Sequence, residues 1–139
     1  MPTVSSETIT LLLRIAFLVG AVTDGLAVIP MVSRRIGAAL FGGDSSRANF
    51  EYRFAMGIGA ALMAGWTLLL IWGAASPILR RDILLLTVFP VIAGIVLATV
   101  IAARRGLISA ARTIPLWIHL GFVSLFYVTV YVLSIPFAH

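Results

Sequence analysis

The stretch ITLLLRIAFLVGAVTDGLAVIP, Ile9 to Pro30, decides the fold. A helix that crosses the hydrocarbon core of a bilayer needs about 20 predominantly apolar residues, and this run supplies them in one piece. Only Arg14 and Asp24 interrupt it. An ionisable side chain at membrane depth costs about 2.5–3.5 kcal/mol on insertion scales, so both residues are candidates for function.

Three more runs of the same kind follow. The expected spans are residues 9–30, 53–75, 82–104 and 114–136, which together predict an all-α, membrane-embedded bundle of four transmembrane helices forming one domain over residues 1–139. Composition agrees: 61% of the 139 residues are hydrophobic and 11% are charged, against about a quarter charged in soluble domains. The mean hydropathy is +1.12. There is no length left for a soluble domain. The first ten residues lack a basic region and no cleavage site follows the apolar run, so no cleaved signal peptide is expected.

Punctuation supports the spans. Ser76 and Pro77 fit an N-cap and first turn that open the third helix early, and Gly106 after Arg104 and Arg105 fits its end. Pro90, with Gly94 one turn on, predicts a bend in the middle of that helix. Thr113 and Pro115 open the fourth span and Pro136 closes it. In the one long connection, Ser33 to Phe41 has two open readings. One is a short interfacial helix with Ile36, Leu40 and Phe41 toward lipid and Arg34 and Arg35 toward headgroups; the other is a solvated loop. Gly42, Gly43 and Asp44 would end such a helix, and Ser45 or Ser46 would cap an early start to the second span.

The basic residues set an expected orientation. Arg34, Arg35, Arg47 and Arg53 lie between spans one and two, and Arg104, Arg105 and Arg112 between spans three and four, whereas the opposite side has Arg80 and Arg81. Arg14 joins that opposite side if it snorkels outward, and positive residues concentrate in cytoplasmic loops. Both termini are therefore expected outside, in a bacterial inner membrane; an arginine-only basic set is what a GC-rich bacterial genome produces. Tyr52 and Trp117 on one side, and Trp72, Tyr131 and Phe137 on the other, suit the two aromatic belts. The net charge of +5 is thereby accounted for by topology, and no nucleic-acid partner is expected.

Depth singles out a small set of residues. At 1.5 Å per residue, Asp24 lies about 9 Å inside the cytoplasmic end of the first span and His119 about 7 Å inside that of the fourth. If those helices are neighbours the two can meet, with Thr23 beside them, as a ligand site or as a hydrogen-bonded clasp. Arg14 lies in the other leaflet, about 15 Å from Asp24 along the axis. Thr87, Tyr127, Tyr131 and Ser134 are candidate partners for it, with Glu7 two turns away; snorkelling to the outer headgroups is the alternative. On the second span Gly57, Ala61 and Gly65 recur every four residues, a pattern that lets another helix approach closely.

The absence of cysteine removes disulfides and thiolate sites. His119 is the only histidine within the spans and His139 is the last residue, too few ligands for a metal or haem within one chain. No metal and no cofactor are expected, and the thin catalytic inventory argues against an enzyme.

The runs YRFAMGIGAALMAGWTLLLIW from Tyr52 and RRDILLLTVFPVIAG from Arg80 resemble small bacterial four-helix integral membrane proteins, a group that brings no activity with it. The start LLLRIAFLVG, together with size, bears a looser likeness to DoxX-type proteins. Three functional readings remain open, a membrane enzyme ranking last. In one, Asp24, His119, Arg14 and Thr23 line an intramembrane polar pocket that binds or transports a small or lipid-like ligand. In the second, the protein is a structural or accessory subunit that meets a second copy or a membrane partner through span two. Membrane lipid is a partner in every case.

Overall fold

The computed structural model describes residues 5–41 and 50–137. It is an all-helical bundle: α1 (Ser6–Val32), α2 (Arg34–Phe41), α3 (Phe50–Ala75), α4 (Asp82–Leu86), a π-helical turn (Thr87–Ile92), α5 (Ala93–Arg104), α6 (Ala110–Ser134) and a closing 3-10 turn (Ile135–Phe137). Four spans are long and apolar enough to cross a membrane: Ser6–Val32, Phe50–Ala75, Asp82–Arg104 and Thr113–Phe137. The chain is a multi-pass membrane protein. Large apolar side chains such as Leu11, Val22, Leu62, Leu68 and Phe122 cover its outside, as a lipid-facing surface requires.

Each span has a local cause. Ser5 caps α1, its hydroxyl accepting from the backbone N–H of Thr8 at 3.2 Å, with Glu7 in the positive first turn. Pro30 sits inside α1 near its end, and the helix stops at Val32. A one-residue break at Ser33 then leads into α2, so the helical reading of this segment is the observed one. Ile36 is exposed on it; the side chains of Arg34, Leu40 and Phe41, and the expectations for Gly42 to Arg47, lie outside the described residues, as does His139.

Two expected helix-start signals do not mark the observed starts. Ser76 and Pro77 do not open the third span: residues 76–81 form turns, and helix begins at Asp82. The turn is held instead by its arginines. The Arg80 guanidinium stacks 3.5 Å from the centroid of Trp72 and donates to the Trp72 carbonyl, while Arg81 donates to the carbonyl of Ser134 at 3.1 Å. These contacts tie the turn to the ends of α3 and α6. Helix α6 starts one turn before Thr113, at Ala110, while its membrane-spanning stretch begins at Thr113. The bend is where the sequence places it. Phe89 is non-helical (φ −123°, ψ 108°) before Pro90, and the peptide between them is cis. Proline removes an N–H and bars its predecessor from helical geometry. Gly106, at φ +68°, ends α5 in the left-handed conformation glycine tolerates.

Helix α1 is the centre of the assembly. Its buried side chains Ile9, Leu13, Ala16, Phe17 and Ala21 join Leu70, Leu84, Val88, Val123, Tyr127 and Val130 in one core. Between apolar helices in lipid there is little hydrophobic drive, so close packing and interhelical hydrogen bonds carry the association. Glycines supply the closeness: a Cβ at Gly73 would strike the Phe17 ring, and one at Gly25 would touch the Thr67 methyl at 3.6 Å. These contacts run antiparallel along α1 and α3. Two indole N–H groups bridge helices, Trp66 to Thr87 Oγ1 at 3.2 Å and Trp117 to Thr99 Oγ1 at 2.9 Å.

Candidate functional site

The polar interior is built around Gly20. This residue is buried on α1, and a Cβ there would collide with the hydroxyl of Tyr127 and come within 3.1 Å of Leu70 Cδ1. The absence of a side chain therefore makes room for a phenol at the junction of α1, α3 and α6. Long side chains on a helix lean toward its N-terminus, so Tyr127 reaches from α6 in the direction of Asp24. Asp24 stands one turn beyond Gly20, about 6 Å along α1 and on the same face.

Both groups are left without partners. Asp24 Oδ2 and the Tyr127 hydroxyl are buried and form no hydrogen bond. Tyr127 is 1% exposed, whereas Asp24 is half-buried, so the site opens at its edge. Buried polar groups are nearly always paired, and leaving one unpaired costs about 1–3 kcal/mol. Two such groups, one against Gly20 and the other one helical turn along the same helix, stand out in a bundle this apolar. Their chemistry is complementary: the phenol O–H donates and the carboxylate oxygen accepts.

The other residues expected at the site take different places. Thr23 is half-buried beside Asp24, with its hydroxyl donating to the carbonyl of Val19 at 2.8 Å. His119 has its side chain exposed, because the buried neighbour that turns inward is Leu120, at 7% exposure. Adjacent helical positions lie about 100° apart, so both cannot face the interior. Arg14 is exposed too, next to buried Leu13, and its expected partners are engaged elsewhere: Thr87 with Trp66 and Ile83, Ser134 with the Tyr131 carbonyl, Tyr131 with Arg81, and Tyr127 against Gly20. The structure thus seats Tyr127 against Gly20, one turn from Asp24, and leaves Arg14 and His119 exposed. Among the described residues no three histidine or acidic side chains gather as a metal cluster.

Gly57, Ala61 and Gly65 are exposed along α3. A Cβ at Gly57 or Gly65 would meet nothing within 4 Å, so the close packing of α3 on α1 uses the other glycines.

Tyr127 entered the sequence reading only as a neighbour for Arg14. The signal that marks it is the four-residue step from Gly20 to Asp24, a gap and an acceptor on one face, together with a tyrosine at span depth whose hydroxyl must find a partner. No family model, no curated protein and no solved structure matches this chain.

Proposed function

We propose that the protein binds a small or lipid-like molecule inside the membrane, holding its polar head between Asp24 and Tyr127. The observation that carries this is the pair of unpartnered buried atoms at one junction. A hydroxyl group satisfies both at once, since its oxygen accepts from Tyr127 and its own proton goes to Asp24 Oδ2. Thr23 lines the edge through which a ligand enters. Arg14 and His119, lipid-facing at the two depths, meet headgroup phosphates or a ligand's outer end by snorkelling. The arginine-rich connections support a reading with both termini outside, in a bacterial inner membrane.

Molecules that co-purify in mild detergent test this. They would be extracted and compared by mass spectrometry between the wild type and a Tyr127→Phe/Asp24→Asn variant. A hydroxyl-bearing compound enriched with the wild type and absent from the variant, at unchanged helix content, supports the site. An identical complement of lipids from both refutes it.

A second reading has its own observation. The open face at Gly57, Ala61 and Gly65 suits a further helix, from a second copy or another membrane protein. Gly57→Leu/Gly65→Leu should then dissociate a complex that Asp24→Asn leaves intact.

A further inference from the structure

Away from Asp24, an apolar groove of about 570 Å³ runs between the third span and α6. Its walls include Phe89 at the bend, Val96 and Val100 on α5, and Trp117 and Gly121 on α6. The Trp117 ring is fixed as part of the wall by its bond to Thr99. Gly121 leaves the floor open, since a Cβ there would meet nothing within 4 Å. Toward one end, the ridge formed by Val96 and Val100 continues at the next four-residue step to Arg104, and that of Leu97 and Ile101 continues to Arg105. The guanidinium-bearing residues thus begin about 6 Å beyond the last lining valine. Both are exposed, and neither pairs with a carboxylate among the described residues.

We infer that this groove is a binding site for an anionic phospholipid, with one acyl chain along Val96, Val100 and Gly121 and the phosphate at Arg104 and Arg105. The groove lies at bilayer depth, where acyl chains are the solvent, and it ends at two positive charges that no carboxylate among the described residues compensates. Basic clusters at the ends of transmembrane helices bind acidic headgroups in this way. A purely apolar partner helix would fill the groove and leave both arginines unneutralised, so charge complementarity favours lipid. The site is separate from Asp24 and Tyr127 and stands or falls independently of them.

Tryptophan quenching in nanodiscs tests it. The discs would be phosphatidylcholine with a tenth of the lipid replaced by chain-brominated phosphatidylglycerol or, in parallel, chain-brominated phosphatidylcholine. Bromine in the groove lies against Trp117, so the phosphatidylglycerol should quench more strongly at equal proportion. Arg104→Gln and Arg105→Gln should each lower its relative association about fivefold. Gly121→Leu, whose Cβ would meet nothing within 4 Å, projects a side chain onto the floor and should remove the excess quenching, leaving that of exposed Trp72 unchanged; circular dichroism verifies that the helices persist. Equal quenching by the two lipids overturns the inference, as does an excess that survives both the arginine and the Gly121 substitutions. A shift of Gly121→Leu from dimer to monomer with no phosphatidylglycerol preference overturns it in favour of a protein partner.

Discussion

Tyr127→Phe should stabilise the ligand-free protein and destabilise the ligand-bound one. The hydroxyl removed is buried and unpartnered, while the ring that remains keeps its core contacts, including its tilted neighbour Phe126 with centroids 6.3 Å apart. An unsatisfied buried polar group costs about 1–3 kcal/mol. In a bilayer the unfolded reference also lacks water, which pulls the value toward the lower end, about 1 kcal/mol. Stripped of bound molecules, the variant should therefore gain about 1 kcal/mol in reversible unfolding by sodium dodecyl sulfate, followed by circular dichroism. With the ligand in place the hydroxyl donates to it, and phenylalanine then forfeits a bond worth about 0.5–1.5 kcal/mol. The change of sign between delipidated and native-lipid preparations is the diagnostic result. Destabilisation in both preparations would show that the hydroxyl is satisfied within the fold, and the reasoning about an incomplete site would fail.

Three other substitutions follow from the packing. Gly20→Ala drives a Cβ into the Tyr127 hydroxyl and should cost about 1–3 kcal/mol; adding Tyr127→Phe should recover most of that, because the next contact is the end of flexible Leu70, and a double-mutant cycle measures the recovery. Gly73→Ala meets the fully buried Phe17 ring and should cost a similar amount, relieved by Phe17→Leu, as unfolding titrations of the single and double variants would show. Thr87→Val removes the acceptor of the Trp66 indole and should cost about 0.6 kcal/mol, at most about 1.7, with a shift in tryptophan emission.

The spans were legible because the bilayer imposes a length on every apolar run, and the bend and the end of the third helix because Pro90 and Gly106 act locally on the backbone. Rotation about each helix axis was not. A soluble helix reveals its inner face by amphipathicity, but α1 and α6 are apolar on every face, since lipid and core ask for the same side chains. The depth of His119 could therefore be read while its direction could not; the inward position next to it belongs to Leu120. The same ambiguity hid Tyr127, whose role depends on which helix presents a gap opposite it. At the turn after α3, Ser76 and Pro77 carry helix-start chemistry, yet Arg80 and Arg81 find their partners on α3 and α6 only if the chain turns through residues 76–81 first. That preference is tertiary and leaves no local mark. Asp24, by contrast, was visible from its type alone, because a carboxylate in a spanning run is expensive wherever it points.

The central claim is that Asp24 and Tyr127 form one incomplete site that a ligand's polar head completes. An experimental structure of the wild-type protein in nanodiscs of phosphatidylethanolamine and phosphatidylglycerol, at a resolution that shows ordered small molecules, tests it most directly. The expected result is non-protein density within hydrogen-bond distance of both Asp24 Oδ2 and the Tyr127 hydroxyl, continuing to the open edge beside Thr23. A dry junction in which the two groups bond directly to each other would contradict it.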